Sequence, residues 1–407
     1  MNITQLSNGI RIVSEFLPSY QMVNMQFRYG VGSGTESKLE RGAAHFLEHL
    51  TLSGLNEVGN KSFMFQMADY GAIVNALTSM EHTTFYIEAP WENIVPVLSL
   101  FSKLLIQRKI IPERIEIERQ VILNEIESVQ EDFHASGLEQ FYQIMLGEYG
   151  HPILGTTEDV ENLNPIILQQ FQNKYYTPDN LIIGVAGNVS HEEVVRVIEK
   201  ELGELRGKCV PKSQPSIKKG SSKIHVPIDS DMVQLFWGLP APGRLAKERN
   251  TYALLTKVLC GDGTDMWSRL FYRTRTQLGL SYTIGGEYLF WGDLGMYVIY
   301  AETGSNQMEW LVSIVEDELQ NIKNGISDEE LSRGIASLSS SLRSSSDSLE
   351  DRVERLIDQV YYGRNLPSFE EEIHLLTKIK KEDVLQVSQE YLRASRISLV
   401  TLGGFPS

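Results

Sequence analysis

The feature that most restricts how this chain folds is an internal repeat: Tyr175, Leu181 and Gly187 recur as Tyr391, Ile397 and Gly403 at a constant offset of 216 residues. Around each triplet the pattern is the same, a short helical period, a polar turn, then an apolar run closing on glycine. MQFRYGVGSG (25–34) is likewise echoed by VQLFWGLPAP (233–242), both reading as a buried strand entering a tight loop. Repetition on this scale means a duplicated domain, and 407 residues is the length two such domains need. The stretch 206–223 is rich in Pro, Gly, Ser and Lys and has no hydrophobic period, the mark of a linker. The expected organisation is a first domain over 1–205, a linker over 206–223 and a second domain over 224–407. Within each half, apolar β-type runs alternate with helical segments. This predicts an α+β fold of two tandem homologous domains, each a mixed or antiparallel sheet covered by helices. Asn8-Gly9, between strands at 3–7 and 10–15, predicts an opening hairpin.

Charge and composition narrow the function classes. With 37 basic against 53 acidic residues the net charge is −16, so a polyanion meets repulsion and nucleic acid is not an expected partner. The two cysteines, Cys209 and Cys260, form no disulfide framework and suit a reducing compartment. No segment reaches 18 consecutive apolar residues, and the first residues lack a basic n-region and an apolar h-region. The expectation is a soluble cytoplasmic protein with no membrane span.

Chemistry concentrates in RGAAHFLEHLTL (41–52), which contains H-x-x-E-H. On a helix, His45 and His49 share a face and Glu48 lies beside them, about 60° from His45. Two imidazoles hold a catalytic zinc, and an adjacent carboxylate takes a proton from water. Such a site needs a third protein ligand. The segment from Pro112 to Met145 reads as one long helix with its proline at the start and an apolar stripe of Ile115, Ile122, Ile126, Val129 and Phe133. Glu113, Glu116, Glu127 and Glu131 point to the opposite, solvated side. Glu118 and Glu125, seven residues apart, border the stripe, where a carboxylate needs a partner. Asp132 continues that row as a weaker candidate.

H-F-L-E-H followed 76 residues after its second histidine by a glutamate within ERQVILNE resembles the pitrilysin family of inverted-motif zinc peptidases. The closest branch is the bacterial relatives of the mitochondrial processing peptidase beta subunit, and the resemblance covers nearly the whole chain. It implies that Glu125 is the third ligand of one zinc per chain and that Glu118 supports the site. GAIVNALTSMEHTTFY (71–86) is similar to the family's substrate-binding edge strand, which implies that Asn75 and Ala76 touch the substrate backbone by strand addition. His82, in the same stretch, reads as structural. SRLFYRTRTQLGLSY (268–282) resembles the family segment whose Arg/Tyr pair reaches the substrate carbonyl, here Arg275 and Tyr282, with Arg273 a nearby alternative. The second half has no H-x-x-E-H; its counterpart, 254–263, is apolar. One departure stands out, because 60–70 is more apolar than the family pattern and implies a narrower substrate choice.

The resemblance implies a zinc endopeptidase that cuts unfolded or precursor peptides inside a clamshell or dimer chamber. Its partner would be a second copy or a related subunit. The alternatives are a non-catalytic scaffold, a zinc-containing peptide-binding module and a partner-dependent subunit of a heterodimeric processing peptidase. The first is opposed by the intact ligands and the Arg275/Tyr282 pair, the second by the presence of Glu48.

Overall fold

The apolar runs become the strands of two sheets. The computed structural model describes residues 1–53, 62–106, 110–212, 216–217, 221–292, 294–363 and 366–404. The first sheet contains β1 (Asn2–Gln5), β2 (Arg11–Phe16), β3 (Met22–Tyr29), β4 (Ile73–Thr78), β5 (Thr83–Pro90) and β6 (Leu181–Gly187) in the order β1-β2-β6-β3-β5-β4. The second contains β7 (Lys223–Pro227), β8 (Met232–Pro242), β9 (Ile284–Trp291), β10 (Leu294–Gly304) and β11 (Ser398–Gly403) in the order β7-β11-β8-β10-β9. Each sheet is mixed, with one parallel pair, β2–β6 in the first and β7–β11 in the second. The α+β class and the opening hairpin β1–β2 are as expected.

The duplication has a physical marker. Tyr175 and Tyr391 end the helices Pro165–Tyr175 and Lys381–Tyr391, and Gly187 and Gly403 end β6 and β11 with φ of +138° and +150°. A Cβ on either glycine would stand 2.7 Å from Met22 O or 2.5 Å from Met232 O. In both copies, glycine lets two backbones meet as the strand ends.

Packing divides the chain into two units that are not contiguous in sequence: Met1–Asp132, Glu148–Gln214 and Ser345–Leu366 form one, and Phe133–Gly147, Pro215–Ser344 and Pro367–Ser407 the other. The single helix expected from Pro112 to Met145 is two helices, Pro112–Glu131 and Phe133–Leu146. Asp132 breaks it with an extended backbone (φ −79°, ψ 105°). The two pieces bury different faces in different places. Ile115, Ile122 and Ile126 join the first core. Phe141 stacks on Phe236 of β8, and a Cβ on Gly137 would meet the end of the Gln234 side chain, which would have to move. The reciprocal helix, Leu349–Tyr361, packs Val353, Leu356 and Ile357 on Val13, Ile182 and Ala186 of the first sheet. The segments 1–205 and 224–407 therefore each lend one helix to the other's sheet. Of the expected linker, 213–215 and 218–220 lie outside the described residues, as do Asn60 and Lys61 of the apolar segment 60–70. Among the described residues, no helix is long and apolar enough to cross a membrane.

Candidate metal centre

The motif helix, Ala43–Ser53, starts where it does because a buried carboxylate receives its first N–H groups. Glu36 accepts from Gly42 N at 2.8 Å and from Ala44 N at 2.7 Å, and its side chain is wholly buried. His151 Nε2 lies 3.4 Å from the same carboxylate. Both His151 ring nitrogens face carbonyl oxygens, Ser33 O and Pro152 O, each at 2.9 Å. Burial holds His151 below its ordinary value although the two carbonyl contacts favour the protonated ring, and it raises the Glu36 carboxyl well above the usual range although Gly42 and Ala44 donate to it.

From this helix His45, Glu48 and His49 face the helix Pro112–Glu131. His45 Nε2 and His49 Nε2 lie 3.6 and 3.5 Å from the same oxygen, Glu125 Oε2. Glu118 approaches the other side of His49, with Oε2 at 3.2 Å from Nδ1. A proton on Nδ1 then leaves the Nε2 lone pair pointing to the centre. Among the described residues, His45, His49 and Glu125 are the one group of three that could hold a metal, with ligand atoms all within 4.8 Å of one another. Two imidazole nitrogens and a carboxylate oxygen suit zinc. Asp132, the weaker candidate, caps the end of that helix instead.

The electrostatics match this arrangement. Burial and then the neighbouring His49 push His45 down to about 4, keeping it neutral near pH 7. Burial also depresses His49, but Glu125 and Glu118 outweigh it and leave that ring raised. Glu125 is held below the usual carboxylate value, first by its hydrogen bond with His49. Glu48 goes the other way: burial raises it, and a 2.6 Å hydrogen bond donated by Thr78 Oγ1 offsets only part of that.

Asn75 and Ala76 lie on β4, which ends the first sheet and pairs only with β5 among the described residues. Asn75 Oδ1 accepts from Ala76 N at 2.9 Å. His82 is half-buried, and burial, followed by the Arg28 charge, pushes it down to about 3. In the second unit, the Arg275 guanidinium sits 4.7 Å from the Tyr282 ring centroid and 4.9 Å from that of Phe271. Tyr282 is 82% exposed. Arg273 is engaged elsewhere, 2.7 Å from Glu318, which separates it from Arg275. The arginines sit on a π-helical turn, Tyr272–Gln277. The counterpart of the motif helix, Arg249–Leu259, buries Leu254 and Leu255 and carries no ligand side chain. Glu36, His151 and Thr78 were not foreseen. The one available signal was the threonine within N-A-x-T-S.

Residues 11–157 match the family described as insulinase (peptidase family M16), and residues 162–338 match the peptidase M16 inactive domain. A zinc protease of Rickettsia bellii, itself described as uncharacterized, is 29% identical over 412 residues, covering 99% of each chain. A protease from Helicobacter pylori superposes with a TM-score of 0.91 at 21% identity over 99% of both chains. A chain of complex III2 from Candida albicans superposes at 0.84 with 17% identity, covering 99% of this chain and 95% of that one. At such identities the two structures speak for the fold alone. The first match holds the motif; the second begins within the first half, runs across 206–223 and takes in the motif's apolar counterpart, and with the two together spanning most of its length the chain belongs to peptidase family M16, the pitrilysin type.

Proposed function

We propose that this chain is a zinc-dependent endopeptidase acting on unfolded or precursor peptides. The observation that carries the reading is the convergence of His45 Nε2 and His49 Nε2 on Glu125 Oε2, beside a buried Glu48 of raised basicity. The relatives' name, zinc protease, supports both the metal and the reaction class. His45, His49 and Glu125 would hold the ion, with Glu118 fixing the His49 ring. Bound there, zinc supplies Lewis acidity, lowering the pKa of water and polarising a carbonyl.

The chain's own groups do the rest. Glu48 takes a proton from the attacking water as its oxygen adds to the peptide carbon, then returns it to the amine as the C–N bond breaks. Asn75 and Ala76 pair with the substrate main chain on the open edge of β4. The Arg275 guanidinium and the Tyr282 phenol hydrogen-bond the carbonyl oxygen as it gains charge. We assign the protein to the cytoplasm, as a dimer with itself or with a related subunit.

Zinc analysis of the purified chain and of Glu125→Ala, beside cleavage of a mixed peptide library, tests the reading. Bound zinc that Glu125→Ala loses, together with cleavage of disordered but not compact substrates, is the expected result. Zinc with no cleavage by the chain alone would move the assignment to a partner-dependent subunit or a scaffold. No zinc at all would overturn it.

A further inference from the structure

We propose that Thr78 is a positioning residue for the Glu48 carboxylate, so that the strand taking up the peptide also sets where the proton acceptor stands. This rests on the peptidase reading given above. Thr78 Oγ1 donates to Glu48 Oε2 at 2.6 Å, the short range of a hydroxyl bound to a carboxylate. Both residues are buried, 5% and 8% exposed. Among the described residues, this is the one hydrogen bond to that carboxylate. A glutamate on a helix has three rotatable side-chain bonds, and a single donor of this kind selects one placement among them.

The donor itself is rigidly held. Thr78 ends β4 opposite Thr83, and the turn that follows is closed by Ser79 N donating to His82 O at 2.8 Å. Ser33 N and Gly34 N donate to Ser79 O and Met80 O at 3.1 and 3.0 Å. A Cβ on Gly32 would stand 2.1 Å from Ser79 O, so glycine alone allows this approach. The same loop runs on to Glu36, which caps the motif helix through Gly42 and Ala44. The helix bearing Glu48 and the strand bearing Thr78 are thus both fastened to Val31–Glu36.

The hydroxyl is the telling feature. Valine would serve a buried strand end equally well in shape and β-propensity, but it has no proton to give. Thr78 lies two to three residues from Ala76 and Asn75, about 7–10 Å along the strand at its usual rise. A peptide paired there is held in register with the carboxylate through one continuous piece of backbone.

Thr78→Val and Thr78→Ser test this, read by zinc content, kcat and KM on a disordered peptide, and the crystal structure of the valine variant. Expected are unchanged zinc and KM with kcat lowered about 10- to 100-fold in Thr78→Val, the usual cost of losing an orienting partner. Thr78→Ser should restore most of kcat, and Glu48 should leave its place in the Thr78→Val crystal. An unchanged kcat, a rise in KM alone, or Glu48 unmoved in that crystal overturns the proposal. If the wild type binds zinc and cleaves nothing by itself, the reading as a self-sufficient peptidase fails instead, and the position of Glu48 in the variant still decides the role of Thr78.

Discussion

At the scale of single residues, Glu118 and Glu125 show what spacing alone leaves undecided. They lie a heptad apart on one helix face, so periodicity treats them alike. Contact separates them, because Glu118 meets the outer nitrogen of His49 while Glu125 meets the inner nitrogens of both rings. Glu118→Ala should therefore weaken zinc affinity about 10- to 100-fold without abolishing binding, as a competition titration would measure. His45, Glu48 and His49 were legible because a helix alone brings them together. Thr78 was not, since its contact depends on where a sheet edge meets that helix. Glu81 offers a test independent of the metal. Burial, opposed in part by the Tyr362 hydroxyl, pushes its carboxyl up to about 7 from the usual 4.5. The folded state then binds more protons than the unfolded one between those values, so stability falls as pH rises through that window. Glu81→Gln should match the wild type below it and be more stable by about 1–3 kcal/mol above it, measured by denaturant titration at several pH values.

At the scale of elements, the motif helix depends on a cap that lies outside it in sequence. Glu36 precedes the helix by several residues and is paired with His151, so no local capping pattern announces it. Glu36→Ala leaves the N–H groups of Gly42 and Ala44 without their buried acceptor. It should destabilise the protein by about 2–4 kcal/mol in denaturant unfolding, far more than loss of a surface acid would. The break at Asp132 was equally hidden. Neither Gly nor Pro stands there, and the apolar stripe runs through it; what divides the helix is that Ile122 and Phe141 belong to different cores. Periodicity reports that a face is buried and not which sheet buries it.

At the scale of the whole molecule, the repeat read from Tyr175/Tyr391 and Gly187/Gly403 is present in the fold, while the exchange of helices between the halves has no sequence signal. It carries a consequence for fragments. Without Leu349–Tyr361, the first sheet loses its cover over Val13, Ile182 and Ala186. Burying Val353, Leu356 and Ile357 contributes about 1.5–3 kcal/mol each, a sum comparable to the net stability of a domain. Residues 1–212 alone should show no cooperative thermal unfolding, whereas the full chain should; a sharp transition in the fragment would contradict the exchange. The most direct measurement on the central claim is zinc content and peptide cleavage of Glu48→Gln beside the wild type. A glutamine there keeps the size and the contact with Thr78 but cannot accept a proton. The account predicts equal zinc in both proteins and turnover in the wild type only. Full turnover by Glu48→Gln would contradict it.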